Sequence, residues 1–281
     1  MVAPVVRAAP AAPDADASES QMSDSTTLAR PDLAPDPDSS RQEMKSQQRE
    51  IAAAATFTDD LEFDSAAITD GPLSVIGEEL PLVAGVDQAF LADRAISAVV
   101  VSRGGKVVER AYAVTDLSIP YVPGLLAFRE GGPILDAFER LSVDPDLVLF
   151  DGSGRIHFRE AGIATHMGVV LDLPSIGVAK NLLCGTPTES VEGLPEGERV
   201  PIEADDSVTA SDGTVIGYAL QTRQYDSSNR HINPLYVSPG HRVSNDTVTD
   251  LVTALTEGYK LPEPTRRADA YAEEAKSLIT D

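Results

Sequence analysis

Two aspartates, a glutamate, a histidine and a lysine stand where this sequence could do hydrolytic chemistry. Asp87 interrupts the apolar run "LVAGVDQAF", and Asp151 ends "DLVLF" immediately before "GSG". An ionised carboxylate in a buried strand is costly unless it is paired or bound to a cation. If the two strands are neighbours, the two acids converge on one divalent ion, and their oxygen donors suit Mg²⁺. Each also has a plain reading: Asp151 as an Asp-Gly turn closing a strand, Asp87 as a solvent-facing strand position. Glu130 closes "LLAFRE" on a helix or turn and would be a third acid, although alone it reads as surface charge. His241, in "SPGHRVS", lies between a strand and a helix cap, placed to polarise a water or a phosphate oxygen. His157 and His166 read as structural or substrate-positioning groups. Lys180 ends "SIGVAK" in a chain with five lysines and 17 arginines. Keeping Lys there suits a compact charge on a transferring phosphate.

The segment "IPYVPGLLAFRE", residues 119–130, brackets Tyr121 between Pro120 and Pro123 and runs through a Pro-Gly turn into Glu130. The prolines restrict the backbone around an aromatic tip. By itself, Tyr121 reads as a half-buried loop aromatic.

Several elements must hold these residues. "SSRQEMKSQQREIAAAATF" from Ser39 combines a Ser cap with good helix formers. "LVAGVDQAF", "RAISAVVVSR" and "KVVERAYAV" read as strands, the last two joined by a "GG" hairpin signal at 104 and 105. An antiparallel meander is expected. Helical spacing in "ILDAFERL", a buried strand in "DLVLFD", a helix in "EAGIATHMGVVLDL" and a strand in "SIGVAK" follow. "VIGYALQTR" and "PLYVS" read as further strands, and "SNDTVTDLVTALTEG" as a Ser-capped helix ending at Gly. The expectation is an α/β fold with a mixed sheet flanked by helices.

Composition bounds the partners. The chain has 281 residues, 45 acidic against 22 basic, and a net charge of -23. Acidity with so few lysines fits a surface adapted to concentrated salt, and at molar salt the screening length falls to about 3 Å, so global charge does not exclude a nucleic-acid partner. The apolar runs are too short for a membrane span. Residues 1–38 are rich in Ala, Pro, Asp and Ser and are expected to form a disordered acidic tail before a catalytic domain over 39–281. Met22 would serve equally well as a start, which would make the preceding segment an artefact. The single Cys184 fits a reducing cytoplasm.

The motifs "VAGVDQAF", "YVPGLLAFRE", "PDLVLFDGSGRIHFREAGIATHMGVVLDLPSIGVAK", "NPLYVSPGHRVS" and "GYKLPEPTRRAD", in this order, resemble those of the endonuclease V family, repair nucleases that act on deaminated bases. The resemblance implies a ribonuclease-H-like fold with Mg²⁺, or Mn²⁺ in its place, at Asp87 and Asp151. Glu130 and His241 would complete the centre, with Lys180 near the phosphate. It also implies DNA containing deaminated adenine as substrate, cut at the second phosphodiester bond 3′ to deoxyinosine. Tyr121 and Pro123 would wedge into the duplex, while Gly124, Leu126, Gly152 and Ile163 read the extruded base through the main chain. Some members prefer inosine-containing RNA, and the sequence carries no discriminator for the 2′-hydroxyl. A non-catalytic binding protein on the same fold is disfavoured because all the acids are present. A dinucleotide site at "DGSG" lacks the full glycine pattern. A monomer is expected. Phe158 where many members have Pro, and the acidic stretch "TESVEGLPEGERVPIEADDSVTASDGT", depart from the family pattern.

Overall fold

The computed structural model describes residues 28–69, 80–226 and 230–280, together with the short strand β1 (Val5–Val6). The chain passes from the 3₁₀ turn Pro31–Leu33 through α1 (Arg41–Ala54), whose N-terminus is closed by a capping box between Ser40 and Glu43, to the single turn α2 (Ala66–Thr69). Strands β2 (Leu82–Leu91), β3 (Arg94–Arg103) and β4 (Lys106–Asp116) then form the meander. Gly104 and Gly105, at φ 53° and 73°, make the tight turn that only a pair tolerant of positive φ supplies readily.

Next come α3 (Leu126–Phe138), β5 (Leu147–Asp151), α4 (Ile163–Leu171) and β6 (Ser175–Ala179), with β5 parallel to both β2 and β6. Strands β7 (Thr186–Pro187), β8 (Arg199–Glu203), β9 (Val215–Leu220) and β10 (Leu235–His241) extend the far side antiparallel. Helices α5 (Asn245–Ala254) and α6 (Glu263–Thr280) end the chain. The sheet order is β1-β4-β3-β2-β5-β6-β10-β9-β8-β7.

Period-2 alternation sorts the strands' side chains onto two faces. Ala84, Val86, Val148 and Phe150 pack with residues of α3 and α4, whereas Val83, Leu147, Leu149, Ile176 and Val178 pack with Val248, Leu251 and Val252 of α5. On that second face, Ala98 and Val100 meet Ala268, Tyr271 and Ala272 of α6.

Three sequence expectations shift. The helix expected from Ile134 begins at Leu126 and runs through Pro133, because Phe128, Ile134, Leu135 and Phe138 are all buried along it. The helix read over "EAGIATHMGVVLDL" covers only Ile163–Leu171. Most of the expected disordered tail lies outside the described residues, but its last part is ordered: Leu33 is buried, its carbonyl accepts from His166 Nε2 at 2.8 Å, and Arg30 N donates to Val170 O. One leucine in a Pro- and Asp-rich run suffices because α4 presents both a surface and a donor.

Candidate active site

Parallel pairing sets the first two acids side by side. Val86 stands opposite Phe150, so Asp87 and Asp151 follow one step later on adjacent strands, spaced about 4.8 Å apart. Both have the parity of Val83, Leu147 and Leu149 and so belong to the face under α5 and α6. Lys180 follows β6 on the same face, and its Nζ donates to Asp151 Oδ2 at 2.7 Å. Asp87 Oδ1 accepts from its neighbour Gln88 N, while Gln88 Nε2 reaches across to the Glu130 carbonyl and ties the end of β2 to α3. Asp87, Glu130 and Asp151 together line a cavity of about 130 Å³.

The electrostatics follow from burial. Burial, and then the charge of Asp151, push the Asp87 carboxyl up to about 8. Glu130 rises to about 7, chiefly by burial, with Asp151 adding to it and Arg129 opposing. Burial disfavours the charge on Lys180, yet the hydrogen bond and the charge of Asp151, with Asp87 and Asp269 behind it, raise its pKa.

Local sequence pattern does not single out Asp269, although it closes the motif "GYKLPEPTRRAD". An exposed acid on an amphipathic helix looks like a solvated one. Its charge nevertheless acts on both Asp87 and Lys180, because α6 crosses β2 at Gly85, where a Cβ would stand 1.9 Å from Pro264 O.

This donor set fits a divalent cation. A negative charge on Asp87, half-buried beside Asp151 on the neighbouring strand, needs a positive partner or a proton. Among the described residues, no group of three or more acid, Cys or His side chains stands close enough to hold an ion. Asp87 and Asp151, side by side, offer hard oxygen donors of the kind a divalent cation takes.

Beside the cavity, and sharing Asp151 and Ile163 with it, opens a cleft of about 480 Å³. Tyr121, Pro123, Gly124, Leu126, Gly152 and Ile163 all line it, as do Gln48, His157 and Lys180. Tyr121 is 64% exposed at its rim. Behind the lining residues Gly152 and Ser153, backbone packs on backbone: a Cβ on Gly177 would stand 2.2 Å from Gly154 N, and one on Gly154 would stand 2.2 Å from Pro239 O.

A family model described as Endonuclease V matches residues 73–270. The chain belongs to the endonuclease V family. It is 61% identical to an Endonuclease V of Haloarcula marismortui over 264 residues, 89% of this chain and 97% of that one. An Endonuclease V of Natronomonas pharaonis is likewise 61% identical, covering 90% of this chain and 99% of its own. Among solved structures, the Endonuclease V of Streptomyces avermitilis superposes with a TM-score of 0.71 at 33% identity, covering 89% of this chain and 98% of that one. The Endonuclease V of Ciona intestinalis, solved with a 24mer DNA containing an inosine followed by a ribo-adenosine, gives 0.64 at 25% identity, covering 85% and 98%. As an endonuclease V, the chain is a nuclease and hence a hydrolase. No helix among the described residues is long and apolar enough to cross a membrane.

Four of the five residues expected at the centre of this endonuclease V gather there, and His241 does not. Strand β10 is antiparallel to β6, so His241 pairs with Ser175 at the start of β6, whereas Asp151 pairs with Val178 near its end. His241 instead joins separate segments: Nδ1 accepts from Thr56 N at 3.1 Å and Nε2 donates to Asp172 Oδ1 at 3.3 Å. Burial lowers its pKa, which keeps Nδ1 free to accept. His241→Gln should therefore leave kcat within about threefold and lower Tm by about 4 °C, the loss of one or two buried hydrogen bonds. Steady-state cleavage and a thermal melt check this, and a hundredfold fall in kcat would return His241 to the centre.

His166 and His157 divide. His166, pushed down to about 4 by burial, is structural, donating to Leu33 O and meeting the Phe128 ring edge-on. His157, pushed down to about 3 by burial, stands in the cleft.

Proposed function

We propose that the protein is a Mg²⁺-dependent DNA repair endonuclease that cleaves the second phosphodiester bond 3′ to deoxyinosine. The observation that carries this reading is one continuous wall, from Tyr121 at the rim of the cleft to the paired carboxylates of Asp87 and Asp151 in the adjoining cavity. Asp87 and Asp151 would hold the cation, with Mn²⁺ able to substitute. When bound, the ion polarises the phosphate and makes hydroxide accessible near neutral pH.

The chain's own residues do the rest. Lys180 places a positive charge beside Asp151, where negative charge grows on the phosphate. Glu130, held near 7, takes or gives a proton at the pH where the reaction runs. Asp269 adds a fourth acid, biasing Asp87 and Lys180. Tyr121, braced by Pro120 and Pro123, fills the space an extruded base leaves. Extrusion costs a few kcal/mol, least for a mispaired base. Main chain at Gly124, Leu126, Gly152 and Ile163 reads the base in the cleft. The protein works as a monomer in the cytoplasm, where a reducing medium suits its free, buried Cys184.

Because Asp87 must lose its proton to ligate a cation, Mg²⁺ binding should tighten about tenfold per pH unit from about 6 to 8 and level off above. Titration calorimetry measures this, and a pH-independent dissociation constant would contradict it. In the metal-free protein the raised carboxyl acts on stability with the opposite sign to a salt-bridged acid. Its contribution is fully present below about 4 and is lost as pH rises through about 8, so added Mg²⁺ should raise Tm most at alkaline pH.

The experiment for the whole reading is cleavage of duplexes carrying one deoxyinosine, with product ends mapped, from dilute to molar KCl. Cuts at the second 3′ bond, strongest at high KCl, are expected. Cutting that ignores the lesion would overturn the reading. The ribo-adenosine in the Ciona complex favours a second reading, an inosine-specific endoribonuclease, so matched inosine RNA strands belong in the same assay. Faster RNA cleavage would select it.

A further inference from the structure

The carbonyl of Gly124 is gripped by three donors. Gln48 Nε2 lies at 2.9 Å, His157 Nε2 at 3.1 Å and Arg159 Nη2 at 3.1 Å. The donors also hold one another: Arg159 Nε donates to Gln48 Oε1 at 2.6 Å, and Arg159 N donates to His157 Nδ1 at 3.2 Å. The second contact fixes His157 as the tautomer with its proton on Nε2. A carbonyl has two lone pairs, so this one is saturated.

The same peptide closes the Pro-Gly turn. Leu125 N donates to Val122 O at 3.0 Å, Pro123 occupies the first central position and Gly124, at φ 76°, the second, as a type II turn requires. The peptide plane between Gly124 and Leu125 is therefore held at both its N–H and its C=O. On one side of it stands Tyr121; on the other, α3 begins, and its N-cap residue Leu125 supplies no side-chain acceptor for the first turn. Leu126 and Ala127 of that turn line the cleft.

Gln48 comes from α1, far away in sequence, and is 1% exposed. An amide buried there must be satisfied, and an apolar residue of equal length would pack α1 as well without that demand. The polar choice answers to the turn, not to the core.

We propose that Gln48 is a positioning residue for lesion recognition: through Gly124 it fixes the height of the turn, and with it where the amides of α3's first turn meet an extruded base. This rests on the reading of the cleft as the base pocket. The N-terminal helix thus acts on specificity through the turn it holds.

Two variants test it. Gln48→Met keeps length and packing but loses both hydrogen bonds; Gln48→Glu keeps an oxygen for Arg159 but cannot donate to Gly124. Affinity is measured in EDTA, without divalent metal, for a duplex with one deoxyinosine and for the same duplex with adenine. A 2-aminopurine beside the lesion reports base extrusion. Both variants should lose about tenfold of the wild-type inosine preference, with a weaker 2-aminopurine signal, unchanged affinity for undamaged DNA and Tm within a few degrees. Wild-type preference in either folded variant would overturn the proposal. So would an equal loss for damaged and undamaged DNA, which marks a purely structural part. If Gln48→Met does not fold, Gln48→Glu decides. A wild-type protein without inosine preference would instead sink the base-pocket reading itself, a distinguishable result.

Discussion

Asp151→Ala should slow cleavage of a deoxyinosine duplex by about 10⁴-fold while leaving the affinity for that duplex within about threefold. The carboxylate does three things at once. It stands in register with Asp87, the other acid proposed to hold the cation, it pairs with Lys180 at 2.7 Å, and its charge helps raise Asp87 and Glu130. Removing it takes away one of the two acids assigned to the ion and leaves Lys180 without its partner, so the developing charge on the phosphate loses its support. The cleft keeps its shape, because Gly152 and Ile163 are placed by main chain. Single-turnover cleavage at saturating enzyme, paired with binding in EDTA, separates the two effects. Residual turnover above about a tenth of wild type would show that Asp151 has no part in the chemistry.

Gly85→Ala should destabilise the fold by about 3 kcal/mol and also depress activity in the molecules that remain folded. A Cβ there would stand 1.9 Å from Pro264 O and 2.7 Å from Thr265 N, both backbone atoms at the start of α6. No side-chain rotation relieves such a contact, so the helix must move. Asp269 lies on the next turn and a half of α6 and moves with it, weakening its hold on Asp87 and Lys180. Urea unfolding gives the stability change, and kcat measured where the variant is fully folded gives the second effect. A variant as stable as wild type would mean that α6 is not seated on β2 as described.

Much of the arrangement is legible in the residues. The meander follows from three apolar runs and the Gly104-Gly105 signal, and the Asp87–Asp151 pair follows from two acids in strands that turn out to be neighbours. What local pattern does not encode is direction. His241 sits at a strand end with the right chemistry, but β10 runs antiparallel to β6 and delivers it to the opposite end of the sheet. Asp269 fails to stand out for the reverse reason, since the groups it acts on, Asp87 of β2 and Lys180 after β6, are far away in sequence. Pro133 argues locally against a helix at a cost of about 3 kcal/mol, and only the burial of four large neighbours on the sheet outweighs it. Gln48 looks like any polar residue in a capped helix until its partner, a carbonyl in a distant turn, is in view.

The packed glycines behind the cleft carry a last consequence. Where main chain abuts main chain at Gly154 and Gly177, even a methyl group has nowhere to go, so the heart of the molecule has no slack for gradual change. Drift in the chain's charge must then accumulate at the periphery, in exposed acids such as Glu189, Glu192, Asp206 and Asp212 on the outer strands and loops, leaving the packed interior untouched.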